Sequence, residues 1–316
     1  MSSDATVERG GAGRLTPYEL VFGPGGFETR AFPRVLAEIE LRGVDASAPE
    51  RFLRLESVTA LLRELAGDAP GVDVYGRYGA LLYHAWHFWR FDRRVFAVEE
   101  TLARRLVEST STVGTWQLMP PHPAGYMQLP RHLFWARVEE GATPEPVDGF
   151  FWTMPGRDDP ETPPFDRLAV LLVLGMRPGR PGFGSIPVGV ELSGAPPGHW
   201  ADADGRPDGD DFANLLPGGE LHGWYGLVTE LEVLKLVSRI FRYIAVNPDA
   251  LGEPVEPAEP GEAGAPGRAG TSPTESTRTD TSPTESTRTE TVGLSRIPAF
   301  PPSALPYRPV RWVGHG

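Results

Sequence analysis

The sequence contains no cysteine, and this absence limits both its chemistry and its compartment. Disulfide bonds, thiolate nucleophiles and zinc sites with sulfur ligands are excluded. Nothing in the composition requires an oxidising environment. Residues 1–20 also lack the apolar stretch that a secretory signal needs. We therefore expect a cytoplasmic protein.

Lysine, blocks of positive charge and long apolar runs are scarce as well. Lys235 is the only lysine among 30 basic residues, a bias typical of a high-GC bacterial genome, and the formal net charge is −12. An acidic chain of this kind is a poor ligand for nucleic acid. The longest apolar run, residues 168–176, is far short of the roughly 20 residues that span a bilayer. The sequence thus predicts neither a nucleic-acid nor a membrane partner.

Glycine and proline are instead abundant, at 37 and 34 residues, and their distribution divides the chain into four segments. Residues 1–14 are predicted to be a disordered leader, and residues 15–251 a single globular domain with periodic apolar patterns. Residues 252–293 contain almost no large apolar side chain and include the stretch TSPTESTRT twice. Such a segment cannot bury enough apolar surface to fold, which predicts a disordered linker. Residues 294–316 form a basic, aromatic tail.

Four helices are predicted in the domain by apolar residues spaced three and four apart, at residues 57–67, 75–91, 100–109 and 225–246. The helix at 75–91 is apolar nearly all round, which indicates that it is buried. The helix at 225–246 is long and amphipathic, and the Asn-Pro pair that follows it is a stop signal.

The middle of the domain is typical of β-structure. Short apolar stretches separated by Pro- and Gly-rich turns predict strands at residues 125–129, 132–138, 147–154, 167–175 and 187–192. No helix long enough for a parallel crossover separates them, so we expect a central antiparallel sheet at about residues 125–192. Residues 168–174 are apolar at every position, which predicts a central strand covered on both faces. With the N-terminal helices and the long C-terminal helix packed on this sheet, the fold class is α+β.

The tail differs from the rest of the chain in charge. Residues 294–316 contain three arginines and no acidic residue, whereas residues 1–251 carry a net charge of −10. One hypothesis is that the tail returns to its own domain, with residues 309–313 adding a strand to a sheet edge and Trp312 filling a pocket. The alternatives are a tail that docks on another protein, with the linker as a tether, and a tail that is inert.

Histidines are the first candidates for catalysis or metal binding. His84 and His87 lie three residues apart on the predicted buried helix. Together they could bind a metal ion, with the carboxylate of Glu99 or Glu100 as a third ligand. The favoured interpretation is that both histidines pack within a polar network. A pocket that collects several histidines would instead indicate an enzyme, and the candidates for it are His84, His87, His122, His132 and His222.

Two loops contain candidate ion-binding residues. The first is the acidic loop DADGRPDGDD, residues 202–211, which offers oxygen ligands of the kind that calcium prefers. The spacing of its acidic residues does not fit the EF-hand pattern. The candidate metal ligands in it are Asp202, Asp204, Asp208 and Asp210. Arg177 and Arg180 would bind an anion in the stretch RPGRPGFGSIP, which lacks the phosphate-loop pattern. We therefore expect solvated loops, and no metal or cofactor.

Aromatic residues are concentrated in residues 116–152. Consecutive aromatic residues in a strand point to opposite faces, so some would form core and others would line a groove or an interface. The candidate partner-binding residues are Trp135, Phe151 and Trp152 on the sheet, and Tyr307, Arg311 and Trp312 in the tail.

The motifs of nucleotide loops, metalloprotease helices and nucleophile elbows are missing from the sequence. This favours a non-catalytic protein-interaction or assembly protein that uses the aromatic sheet face and the tethered tail. The partner would be another protein, or the domain itself would bind its own tail. A hydrolase with histidines converging on the sheet is one alternative, and a protein that binds a small molecule or an anion is another.

Overall fold

The fold is that of a computed structural model. The structure describes residues 13–23, 28–67, 78–108, 120–131, 133–137, 142–154, 167–176, 184–191, 201–202, 230–257 and 303–313.

The helices of the described residues lie mostly in the first third of the chain. They are α1 (Pro17–Val21), α2 (Glu28–Arg42), α3 (Pro49–Phe52), α4 (Glu56–Ala66), α5 (Ala80–Arg90), α6 (Glu100–Glu108) and α7 (Glu230–Val246). Helix α1 begins with a capping box, in which the Thr16 hydroxyl accepts from the Glu19 amide while the Glu19 carboxylate accepts from the Thr16 amide. Gly67 caps the C-terminal end of α4, and its φ of 58° favours glycine.

In the part of the chain that the structure describes, eight strands form one connected sheet. They are β1 (Val95–Val98), β2 (Ala124–Gln128), β3 (Trp135–Ala136), β4 (Glu145–Thr153), β5 (Arg167–Leu174), β6 (Gly184–Glu191), β7 (Ala201–Asp202) and β8 (Tyr307–Val310). Their order across the sheet is β7-β6-β5-β4-β2-β1-β8, and β3 also pairs with β4. Helices on a sheet of this kind confirm the α+β prediction.

The sheet is mixed, so the prediction of an antiparallel sheet holds only for its central part. Strands β2, β4, β5, β6 and β7 pair antiparallel, but β1 is parallel to both β2 and β8. The parallel pairing of β1 and β2 arises because the connection between them contains α6, which gives the chain room to cross over.

Both faces of the sheet are covered, and strand β5 separates the two cores. Alternate residues of β5 fall into different clusters. Leu168, Val170 and Leu172 pack in the cluster with α6 and α7, whereas Leu171 and Val173 pack in the cluster with α1 to α5. All five side chains are fully buried. The prediction of a central strand covered on both faces is therefore confirmed.

The segment that follows α7 belongs to the same compact unit as the sheet. A 3-10 turn, Pro248–Ala250, leads the chain to β8, where Leu251 and Val255 form antiparallel bridges to Val310 and Tyr307. Residues 252–257, which the sequence assigned to the linker, therefore lie against the sheet edge. The rest of the predicted linker lies outside the described residues.

The N-terminal end of the described chain is also packed on the sheet. Arg14 is buried, although the sequence assigned it to the leader. Its guanidinium donates to the carbonyl oxygens of Leu129 and Asp148 at 2.7 and 2.6 Å.

No helix in the described stretches combines the length and the apolarity needed to cross a bilayer.

Candidate functional site

The C-terminal segment, residues 303–313, occupies a groove at one edge of the sheet. We call this the tail groove, and its walls are β1, α6, α7, residues 251–255 and residues 13–19. Strand β8 runs parallel to β1, with Val95 opposite Tyr307 and Val98 opposite Val310. The Glu99 amide donates to the Val310 carbonyl at 3.0 Å. The segment is thus held as a strand of the sheet, although that strand begins two residues before the predicted range.

The other side of β8 is hydrogen-bonded to the segment that follows α7. Val255 and Tyr307 exchange backbone hydrogen bonds of 2.8 and 3.1 Å. The Gly252 amide donates to the Pro309 carbonyl at 2.9 Å. Backbone groups of the tail are therefore satisfied on both sides, as in the strand addition by which many proteins bind peptides.

Gly13 allows the Tyr307 ring to approach the N-terminal segment closely. Its φ is +81°, and a Cβ atom there would lie 2.5 Å from Cε1 of Tyr307. The Gly13 carbonyl accepts from the Ser303 amide at 2.7 Å, and the Gly13 amide donates to Gln128 Oε1 at 3.1 Å. The start of the described chain thus links the tail to strand β2.

The Glu19 carboxylate is an anchor for the beginning of the tail. It accepts hydrogen bonds from the Thr16 amide at 2.9 Å and the Thr16 hydroxyl at 2.8 Å. It also accepts from the Ser303 hydroxyl and from the Ala304 amide, the latter at 2.6 Å. One buried carboxylate therefore closes the capping box of α1 and holds the tail.

Trp312 binds between side chains of two helices at the other end of the tail. Its ring is nearly parallel to the ring of Tyr243 on α7, with centroids 5.6 Å apart and an interplanar angle of 16°. The Arg105 guanidinium on α6 lies 4.5 Å from the ring centroid of Trp312. The Tyr243 hydroxyl accepts from the Val313 amide at 2.7 Å. We call Arg105 and Tyr243 the tryptophan clamp.

Arg311 lies beside the clamp and pairs with Glu99. Their Nε and Oε1 atoms are 3.3 Å apart, and the side chains are 58% and 44% exposed. A pair this exposed adds little to stability. It nevertheless places an acidic residue of the groove opposite a basic residue of the tail.

Of the predicted binding residues on the sheet, Phe151 and Trp152 are core residues. Each is 1% exposed, and they lie in opposite clusters because consecutive strand residues point to opposite faces. Trp135 is partly exposed on the short strand β3. The tail residues Tyr307 and Trp312 contact the protein's own groove, and Arg311 is exposed.

His84 and His87 are both buried on α5. Nδ1 of His84 lies 3.0 Å from the Thr153 hydroxyl oxygen. Burial lowers the pKa of His84 to about 3 and the pKa of His87 to about 3, so both rings are neutral at physiological pH. The proposed third ligands are engaged elsewhere, since Glu99 pairs with Arg311 and Glu100 with Arg104.

Among the described residues, the remaining histidine is His122, whose ring lies against the backbone of Ala124. Nδ1 of His122 lies 2.9 Å from the Ala124 carbonyl oxygen, and the Phe91 ring contacts the rings of both His87 and His122. His132 and His222 lie outside the described residues, as do Arg177, Arg180, Asp204, Asp208 and Asp210. Asp202 is in strand β7. Within the described ranges, no group of three or more histidine or acidic side chains is placed to hold a metal ion.

A buried ionic network was not predicted from the sequence. Asp148 lies at the register shift between Val147 and Gly149 in β4. Its carboxylate accepts from Arg131 Nε at 3.1 Å and from the Met176 amide at 2.7 Å. Burial raises the pKa of Asp148, and the nearby Arg14 and Arg131 oppose that effect. A glycine inside a strand pattern is the signal that indicates such a bulge.

Comparison with known proteins gave no match, either to a protein-family model or to a curated protein.

Proposed function

We propose that this chain is a protein-interaction protein whose binding site is the tail groove, with its own C-terminal segment as the resident occupant. The supporting observation is the pairing of β8 with β1 on one side and with Leu251 and Val255 on the other. Strand addition of this type supplies affinity through the backbone and specificity through alternate side chains. We place this interaction in the cytoplasm, because a chain without cysteine has no disulfide bond that would need an oxidising compartment.

The length of the connection supports exchange of the tail. Residues 258–302 connect the segment that follows α7 to the tail at residues 303–313. The sequence predicts a disordered linker over most of this stretch, and a flexible tether holds a segment at an effective concentration on the order of millimolar. A partner strand must therefore bind more tightly than a free copy of the tail would, because the tethered tail competes with it.

Cleavage of the connection in the folded protein tests this proposal. A protease site replaces one TSPTESTRT stretch, the purified protein is cut, and a fluorescent peptide of residues 303–313 is added. We expect the labelled peptide to displace the cut tail and to bind with measurable affinity, while a scrambled peptide does not. Uncut protein is the control, and it should bind the same peptide much more weakly. Unfolding of the body once the tail leaves would contradict the proposal, since the tail would then be an integral strand.

A further inference from the structure

We infer that the tail groove selects segments of other proteins that carry an aliphatic residue, an arginine and a tryptophan in succession. This inference rests on the proposed function and names the partner's chemistry. Val310 is the last residue of β8, and Trp312 follows it by two residues. Both pack against the cluster that contains α6 and α7. Val310 is fully buried there.

Tryptophan fits the clamp better than another aromatic residue would. Its indole is the ring that attracts a cation most strongly, and the Arg105 guanidinium lies 4.5 Å from the centroid. Its ring also stacks on the nearly parallel ring of Tyr243. The Tyr243 hydroxyl binds the Val313 amide, which fixes the backbone next to the indole. The clamp thus recognises a side chain and its backbone together.

Charge favours a basic residue before the tryptophan. Glu99 faces Arg311, and residues 1–251 carry a net charge of −10. An exposed pair contributes more to the association rate and to partner choice than to affinity. A basic segment is therefore preferred over an acidic one of the same apolar pattern.

The test uses the full chain and weakens the resident tail at its own tryptophan. In Trp312→Ala, the tethered segment loses its contacts with the clamp but keeps its pairing with β1 and with residues 251–255, so a peptide supplied in solution competes with a weaker tail. Fluorescence anisotropy measures binding of a labelled peptide, SALPYRPVRWV, and of the same peptide with its tryptophan replaced by alanine. We expect the first peptide to bind Trp312→Ala at least about tenfold more tightly than it binds the native chain. The second peptide should bind Trp312→Ala at least about tenfold more weakly than the first peptide does, because it lacks the ring that contacts Arg105 and Tyr243.

Variants of α6 provide the matched control. Adding Arg105→Ala to Trp312→Ala should remove most of the gain in binding. Adding Arg104→Ala, on the same helix and paired with Glu100, should leave it unchanged.

The outcomes separate this inference from the proposed function. Equal binding of both peptides to Trp312→Ala overturns tryptophan selection and leaves the groove as a peptide site. Failure of both peptides to bind, in a chain that melts like the native protein, overturns the proposed function. If Trp312→Ala does not fold, amide exchange of residues 308–313 is compared in the single variants. Faster exchange in Arg105→Ala than in Arg104→Ala supports the clamp, and equal exchange overturns it.

Discussion

The Ser303 hydroxyl donates to the Glu19 carboxylate across a sequence separation of 284 residues. This contact joins the first helix of the described chain to the C-terminal segment. The same carboxylate also accepts from Thr16 and from the Ala304 amide. The hydrogen bonds that anchor the tail therefore share a carboxylate with the capping box at the start of α1.

The first prediction concerns Glu19→Gln. The amide replaces a carboxylate oxygen with a donor that faces other donors, so we expect a loss of about 1–3 kcal/mol in the free energy of unfolding. Amide exchange at residues 303–305 should also accelerate. Urea denaturation and hydrogen exchange measure the two effects. Glu40→Gln, at an exposed position on α2, is the control and should change neither.

The second prediction concerns Gly13→Ala. The new Cβ would meet the Tyr307 ring at 2.5 Å, and the φ of +81° is unfavourable for alanine. Gly43→Ala is the matched control, because its φ is +59° and nothing lies within 4 Å of the added atom. We expect Gly43→Ala to cost about 1 kcal/mol and Gly13→Ala at least about 2 kcal/mol. Equal costs in thermal or urea melts would contradict the close approach.

The central strands and the periodic helices were predictable because their patterns are local. Strand β5 is apolar at each position that the core covers, and α4 and α7 repeat their apolar residues at helical spacing. Helix α2 was missed, although Phe32, Val35 and Ile39 are suitably spaced and buried. Its interior proline is normally a helix breaker.

The groove depends on contacts that no local pattern encodes. The direction of β8 relative to β1 depends on the path of the chain between them, and that path contains the six strands β2 to β7. The burial of Arg14 follows from two carbonyl acceptors that come together only at the bulge of β4. One of the three hypotheses drawn from the sequence did place the tail on a sheet edge of its own domain, since aromatic residues such as Tyr307 and Trp312 would otherwise be exposed.

The third prediction is that acid destabilises the protein through His84 and His87. Their folded-state pKa of about 3 lies below the unfolded value of about 6.5. The unfolded chain therefore binds more protons between these values, and stability is complete above pH 6.5 and falls as the pH drops toward 3. At pH 5 the loss should be about 2 kcal/mol for each ring relative to pH 8.

Urea denaturation across this pH range tests that loss. His87→Gln should reduce the slope of stability against pH, because it removes one of the two rings whose pKa is lowered by burial. Ring signals in NMR give a direct check, because neither buried histidine should titrate between pH 8 and pH 5. A midpoint near 6.5 for either ring would contradict the prediction.

The fourth prediction concerns Asp148→Asn. The substitution keeps the shape of the side chain but removes the charge that faces Arg131, and it leaves the buried Arg14 without its nearby anion. Removing one partner of a buried ion pair typically costs about 3–5 kcal/mol. We expect a loss in that range in urea denaturation. Asp45→Asn, whose partner Arg51 is largely exposed, is the control and should cost less than about 1 kcal/mol. If both variants cost the same small amount, the charge of Asp148 does not help to hold Arg14 and the N-terminal segment on the sheet.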